Sequence, residues 1–142
     1  MVVDVKMKRL HNGAVLPFYA HTGDAGFDLC ACQPYTIPAG QKVLVSTGIA
    51  MAIPQGHVGL IWDRSGLAAS HSLHALAGVV DSGYRGEVKI VLMNLGKEEF
   101  AIEKGMRVAQ MLIQQVSHAQ ISESHELEET VRNTGGFGST GY

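Results

Sequence analysis

The chain has 142 residues, 46% of them hydrophobic and 17% charged, with a formal net charge of −2. That length is one domain, able to bury about two-thirds of its unfolded surface without a disulfide or metal staple. Eleven basic against thirteen acidic residues exclude a protein whose main task is coating nucleic acid, which needs a basic excess to release counterions. A small phosphate ligand needs only a few local donors.

The opening MVVDVKMKRL lacks the basic-then-apolar layout of a secretory leader, so the expectation is a cytoplasmic protein. Cys30 and Cys32 stand two apart, on one face of a strand. They are too close for an easy disulfide, supply at most half of a zinc site, and read as buried thiols. Strand-like runs follow at 42–45, 48–53 and 58–62, then at 87–95, 100–102 and 107–116, between Gly, Pro and Asn punctuation. The longest uncharged stretch, 43–62, is broken by Pro54, Gln55, Gly56 and His57, which excludes a membrane-spanning helix. Residues 65–70 predict one short helix with Ser65 as its N-cap. The pattern is all-β, an antiparallel sandwich, jelly roll or barrel.

The last twenty residues change character. Glu123, Glu126, Glu128 and Glu129 precede a segment from Arg132 to Tyr142 with four glycines in seven residues. Such a segment cannot hold one conformation unaided. The predicted division is a β domain over 1–131 and a flexible arm over 132–142. Composition alone reads the arm as a frayed terminus, yet Arg132 and Phe137 are more than a solvated tail needs.

Gly136 to Gly141 matches G-x-G-x-x-G as a string, but a dinucleotide site needs a helix after it, and a P-loop needs Lys where Tyr142 stands. The match is read as accidental. Seven histidines form no H-x-x-x-H or H-E-x-x-H pair. Asp24, Asp28, Asp63 and Asp81 sit in turn-like surroundings. Arg64-Ser65-Gly66 opens the short helix, where free N–H groups favour an anion.

In this order the segments resemble the five motifs of the trimeric dUTPases (deoxyuridine triphosphate nucleotidohydrolases). Ala25 to Leu29 is similar to the first motif, Arg64 to Ala68 to the second and Gly78 to Gly86 to the third. Gly105 to Gln110 resembles the fourth and Arg132 to Gly141 the fifth. The resemblance implies a jelly-roll-like subunit of the β-clip type in a homotrimer with active sites between subunits. Each site would take motifs one, two and four from one chain, the third from another and the fifth from the last. The implied reaction is hydrolysis of dUTP to dUMP and pyrophosphate with Mg²⁺ on the triphosphate, keeping uracil out of DNA and supplying dUMP for thymidylate synthesis.

In that reading Asp81 orients the attacking water as general base and holds the 3′-hydroxyl. Tyr84 packs under the deoxyribose and refuses a 2′-hydroxyl. Gly78, Val79 and Val80 read uracil through backbone groups, as glycine lets backbone approach a base. Arg64, Ser65, Gly66 and Gln110 hold phosphate oxygens, and Lys89 also lines the substrate. Asp28 meets Mg²⁺ through a bound water. Arg132 neutralises the triphosphate while Phe137 stacks on uracil, with Gly138, Ser139 and Thr140 closing beside it. Gly83, Met106 and Ala75 depart from residues common in the family. The related dCTP deaminases, on the same fold, are the alternative enzyme reading, and a non-catalytic nucleotide-binding β module is the alternative outside enzymes.

Overall fold

The computed structural model describes residues 2–141; Met1 and Tyr142, the last residue of the expected arm, lie outside it. Ten strands and one helix follow in the order β1 (Lys6–Arg9), β2 (Phe27–Cys30), β3 (Tyr35–Ile37), β4 (Lys42–Ala52), β5 (His57–Trp62), α1 (Ser65–His71), β6 (Leu73–Leu76), β7 (Val79–Asp81), β8 (Glu87–Asn94), β9 (Phe100–Ile102) and β10 (Arg107–Gln115). Every pairing is antiparallel. One sheet runs β1-β4-β8-β6, a second β2-β10-β5-β7, and β3 with β9 forms a two-stranded ribbon. The expected all-β, jelly-roll-like architecture with a single short helix is what the described residues form.

The core follows from strand alternation. Along β8, Val88, Ile90, Leu92 and Asn94 are buried while Lys89 faces out, a period of two with one wet face. Leu29, Ile37, Val45, Ile49, Ile102 and Met111 join them in one cluster; full burial of such side chains stabilises by roughly 1.5–3 kcal/mol each. The buried Asn94 is satisfied: its amide donates to the Ile37 and Glu98 carbonyls at 2.9 and 2.8 Å, and its oxygen accepts the Gly96 N–H at 2.9 Å.

Several local readings change. The runs at 42–45 and 48–53 are one strand, β4, whose pairing with β8 shifts register between Ser46 and Ala50. Gly48, at φ +69°, makes a bulge there, which in the sequence looks like a break. Ser65 is the first helical residue rather than the N-cap; Arg64 caps without a side-chain bond, because a guanidinium only donates and an N-cap side chain must accept. Asp28 lies inside β2, not in a turn. Residues 78–84 do not pair with themselves as a hairpin: β7 pairs with β5, in the sheet opposite β6. No helix among the described residues is long and apolar enough to cross a membrane.

Candidate active site

The sequence-predicted residues gather in two groups and an outlying arm. The first group is built on β2, β10 and the start of α1. Asp28 is buried, and its carboxylate accepts from Arg64 Nε at 3.0 Å and from Arg107 Nη1 at 3.3 Å. Gln110 is directly opposite Asp28 in the β2–β10 register, and its amide donates to the Asp63 carbonyl at 2.8 Å. Gly26 makes room for that side chain, since a Cβ there would come within 2.6 Å of Gln110 Oε1. Ser65 and Gly66 are exposed beside Arg64, and nothing lies within 4 Å of where a Gly66 Cβ would stand. Two guanidiniums around one carboxylate leave a net positive centre, suited to a multiply charged anion.

Arg107 and Asp63 complete this group although the sequence reading gave them no site role. Asp63 pins the end of β5 to β6, accepting from His74 Nδ1 at 2.6 Å and from the Ala75 N–H at 2.5 Å. Arg107 lies inside the fourth motif segment and Asp63 directly precedes the second; their partners become visible only through strand register.

The second group surrounds a cleft of about 260 Å³ that Gly78, Val79, Val80, Asp81, Tyr84 and Lys89 help to line. Its floor is set by close backbone approach. Gly78 has φ +144°, and a Cβ there would meet the Ile61 carbonyl oxygen at 2.7 Å; the carbonyl of Gly78 accepts the Ile61 N–H at 2.7 Å. Ala77, just before it, is held at φ +64°, a conformation that a side chain rarely adopts and that clusters at functional sites. The Tyr84 hydroxyl donates to the Glu87 carbonyl at 2.8 Å, and Gly86 lets the ring lie against the chain. Asp81 is exposed, and among the described residues its carboxylate carries no hydrogen bond or ion pair.

Register separates the two groups. Gln110 pairs with Trp62 and Asp81 with Val58, on opposite sides of β5. At about 3.3 Å per residue and 4.8 Å per strand, the two backbones are roughly 16 Å apart.

Among the described residues the arm makes no hydrogen bond or ion pair to either group. Arg132 Nε donates to the Gly135 carbonyl at 2.9 Å, and Ser139 and Gly141 close local turns onto Gly136 and Gly138. Phe137 is fully exposed at φ +50°, with Gly138, Ser139 and Thr140 exposed beside it.

Burial and the neighbouring Asp28 carboxylate hold the Cys30 thiol above its ordinary pKa, against smaller opposing effects of Arg107 and Arg64. A protonated, buried thiol is a poor nucleophile. The donor set around Asp28 also limits how a Mg²⁺ ion could fit. With an arginine on each carboxylate oxygen, no all-oxygen cage is on offer; spare lone pairs can accept from a water of an ion whose main ligands are phosphates.

The described residues thus combine an antiparallel β fold, a pair of arginines on one carboxylate and a separate cleft. Residues 12–141 match the family model described as dUTPase. The chain is 47% identical over 142 residues to the deoxyuridine 5′-triphosphate nucleotidohydrolase of Clostridium acetobutylicum, covering 99% of this chain and 98% of that one. Its identity to the enzyme of the same name from Rickettsia felis is 49% over 145 residues, covering 99% and 98%. Among solved structures, the Staphylococcus bacteriophage 80alpha dUTPase with dUpNHpp superposes with a TM-score of 0.92 at 27% identity, covering 98% and 99%. The chain belongs to the dUTPase family.

Proposed function

We propose that the protein hydrolyses dUTP to dUMP and pyrophosphate, keeping uracil out of DNA and supplying dUMP for thymidylate synthesis. The observation that carries this reading is the split of the motif residues into a cationic group and a ring-sized cleft on a chain of this family. At about 260 Å³ the cleft lies below the ~300–1,000 Å³ of whole-ligand pockets, which suits base and sugar while the triphosphate extends to a cationic group.

Because those groups stand far apart within one chain, we assign the complete site to a homotrimer. The first group would come from one subunit, the cleft from a second and the arm from the third. The assembly would cover exposed apolar residues: Trp62 and Val79 on the body, and Ile121, Leu127, Val131 and Phe137 along the C-terminal segment.

In this site Asp81 orients a water against the triphosphate and takes its proton, its carboxylate being free to do so. Gly78, Val79 and Val80 present backbone groups to uracil, and Tyr84 closes the sugar side. Lys89 lines the same cleft. Arg64, Ser65, Gly66 and Gln110 hold phosphate oxygens, and Arg132 adds charge when Phe137, Gly138, Ser139 and Thr140 close over the base. Mg²⁺ on the triphosphate, when bound, offsets its charge, and Asp28 would meet it through water. The compartment we assign is the cytoplasm.

The test is to incubate purified protein and Mg²⁺ with dUTP, dCTP, dTTP or UTP, following pyrophosphate and ammonia. Pyrophosphate from dUTP, with the other three at least ~10²-fold poorer in kcat/KM, is expected. Ammonia from dCTP, or binding without turnover, contradicts the reading.

A further inference from the structure

His11, Cys32 and Glu87 each bring one metal-ligating atom to within 4.8 Å of the others. They come from the loop after β1, the bend after β2 and the first residue of β8. All three segments are fastened to one stretch of β4. The Leu10 N–H donates to the Gly48 carbonyl at 2.8 Å, and the Cys32 N–H to the Ser46 carbonyl at 2.9 Å. The Gly48 N–H in turn donates to Glu87 Oε1 at 2.9 Å.

The bulge itself makes room for the imidazole. A Cβ on Gly48 would come within 2.6 Å of His11 Cε1 and 2.9 Å of its Nε2, so only glycine allows the ring to lie there. The same bulge therefore seats the histidine and aims the carboxylate, as outer partners orient metal ligands elsewhere.

His11 Nε2 and Cys32 Sγ are 3.8 Å apart. Tetrahedral bonds of ~2.3 Å to sulfur and ~2.0 Å to nitrogen set two such atoms about 3.5 Å apart. A few tenths of an ångström of closure would complete that edge. Lys89 Nζ, at 3.6 Å from Glu87 Oε2, is a long and half-exposed competitor of small strength.

We propose that His11, Cys32 and Glu87 form a binding site for one zinc-type divalent ion per chain, next to the cleft that Glu87 also lines. A nitrogen, sulfur and oxygen donor set favours a borderline-soft ion over Mg²⁺, which demands oxygen. Three protein ligands with His11 on the exposed side leave a fourth position for water. Without metal, burial and the Glu87 carboxylate keep the Cys32 thiol protonated. On binding, the thiol releases its proton to solvent and the thiolate takes the ion. The ion would clip the loop after β1 to β4 and β8. The proposal does not depend on the dUTP reading.

The test uses tag-free full-length protein in phosphate-free buffer with a non-thiol reductant, titrated with Co²⁺. A thiolate-to-cobalt charge-transfer band that saturates at one ion per chain, and is displaced by Zn²⁺ but not by Mg²⁺, is expected. Cys32→Ser should abolish the band. His11→Gln, at an exposed position, should weaken binding by more than the ~10–100-fold typical of losing an outer partner, and it carries the test if Cys32→Ser does not fold. Metal-free melting curves of both variants check folding. Absence of the band in the wild type, or a band of unchanged affinity in folded Cys32→Ser or His11→Gln, overturns the site.

Discussion

Asp28 and Asp81 are the same side chain in opposite surroundings. Asp28 is sealed in β2 with an arginine on each carboxylate oxygen, whereas Asp81 ends β7 exposed and unpaired among the described residues. A carboxylate with an arginine on each oxygen is committed to positioning those cations. One left open to solvent can accept a proton and align a water. Under the proposed function, the difference separates a residue that builds the site from one that would act in it.

The largest expected effect breaks the acting half. Asp81→Asn keeps the shape and loses the base, so turnover of dUTP should fall by ~10²–10⁴-fold while nucleotide binding and the unfolding midpoint stay near wild type. Steady-state kinetics with equilibrium binding and urea unfolding read all three. An equal loss of stability and turnover would mean that Asp81 is structural.

Asp28→Asn breaks the building half. One amide oxygen cannot serve two guanidiniums, and the loss should be about 2 kcal/mol in urea unfolding, because the arginines are partly exposed. Affinity for dUTP should fall with it, since Arg64 loses its anchor. A variant of unchanged stability would show the ion pairs to be incidental.

The smallest effect sharpens the surroundings of Asp28 through its neighbour. Cys30 has a pKa above the ordinary 9.0 when folded, so the unfolded chain releases that proton first as pH rises. Stability from this group is complete below that value and declines above it. Melting curves should show an alkaline loss that shrinks in Cys30→Ala relative to its own neutral-pH value. No such shrinkage would remove the thiol from the account.

Much of the fold was legible in the sequence, and the remainder was not for physical reasons. The alternation along 87–95 and 107–116 anticipated β8 and β10 within a residue, because a two-residue period survives wherever one face is buried. Gly48 misled, since a bulge and a chain break use the same residue. Asp28 looked like a turn residue because Gly26 precedes it, yet that glycine serves Gln110 by vacating space. The roles of Arg107 and Asp63 depend on register between strands distant in the chain, which no local pattern encodes. The motif order put both carboxylates forward as site candidates; only the fold distinguished their environments.

The separation of the two groups makes the shared site the central claim, and refolding mixed chains tests it most directly. Asp81→Asn and a chain truncated after Val131 should each be nearly inactive alone. Unfolded together in equal amounts and refolded into closed trimers at random, they should form a working site wherever a truncated chain supplies the cleft and an Asp81→Asn chain supplies the arm. That combination gives about a quarter of all sites, and recovery near a quarter of wild-type dUTP hydrolysis is the predicted result. Mixed trimers that assemble but remain inactive would contradict it, because a site contained in one chain would then carry a defect in every copy.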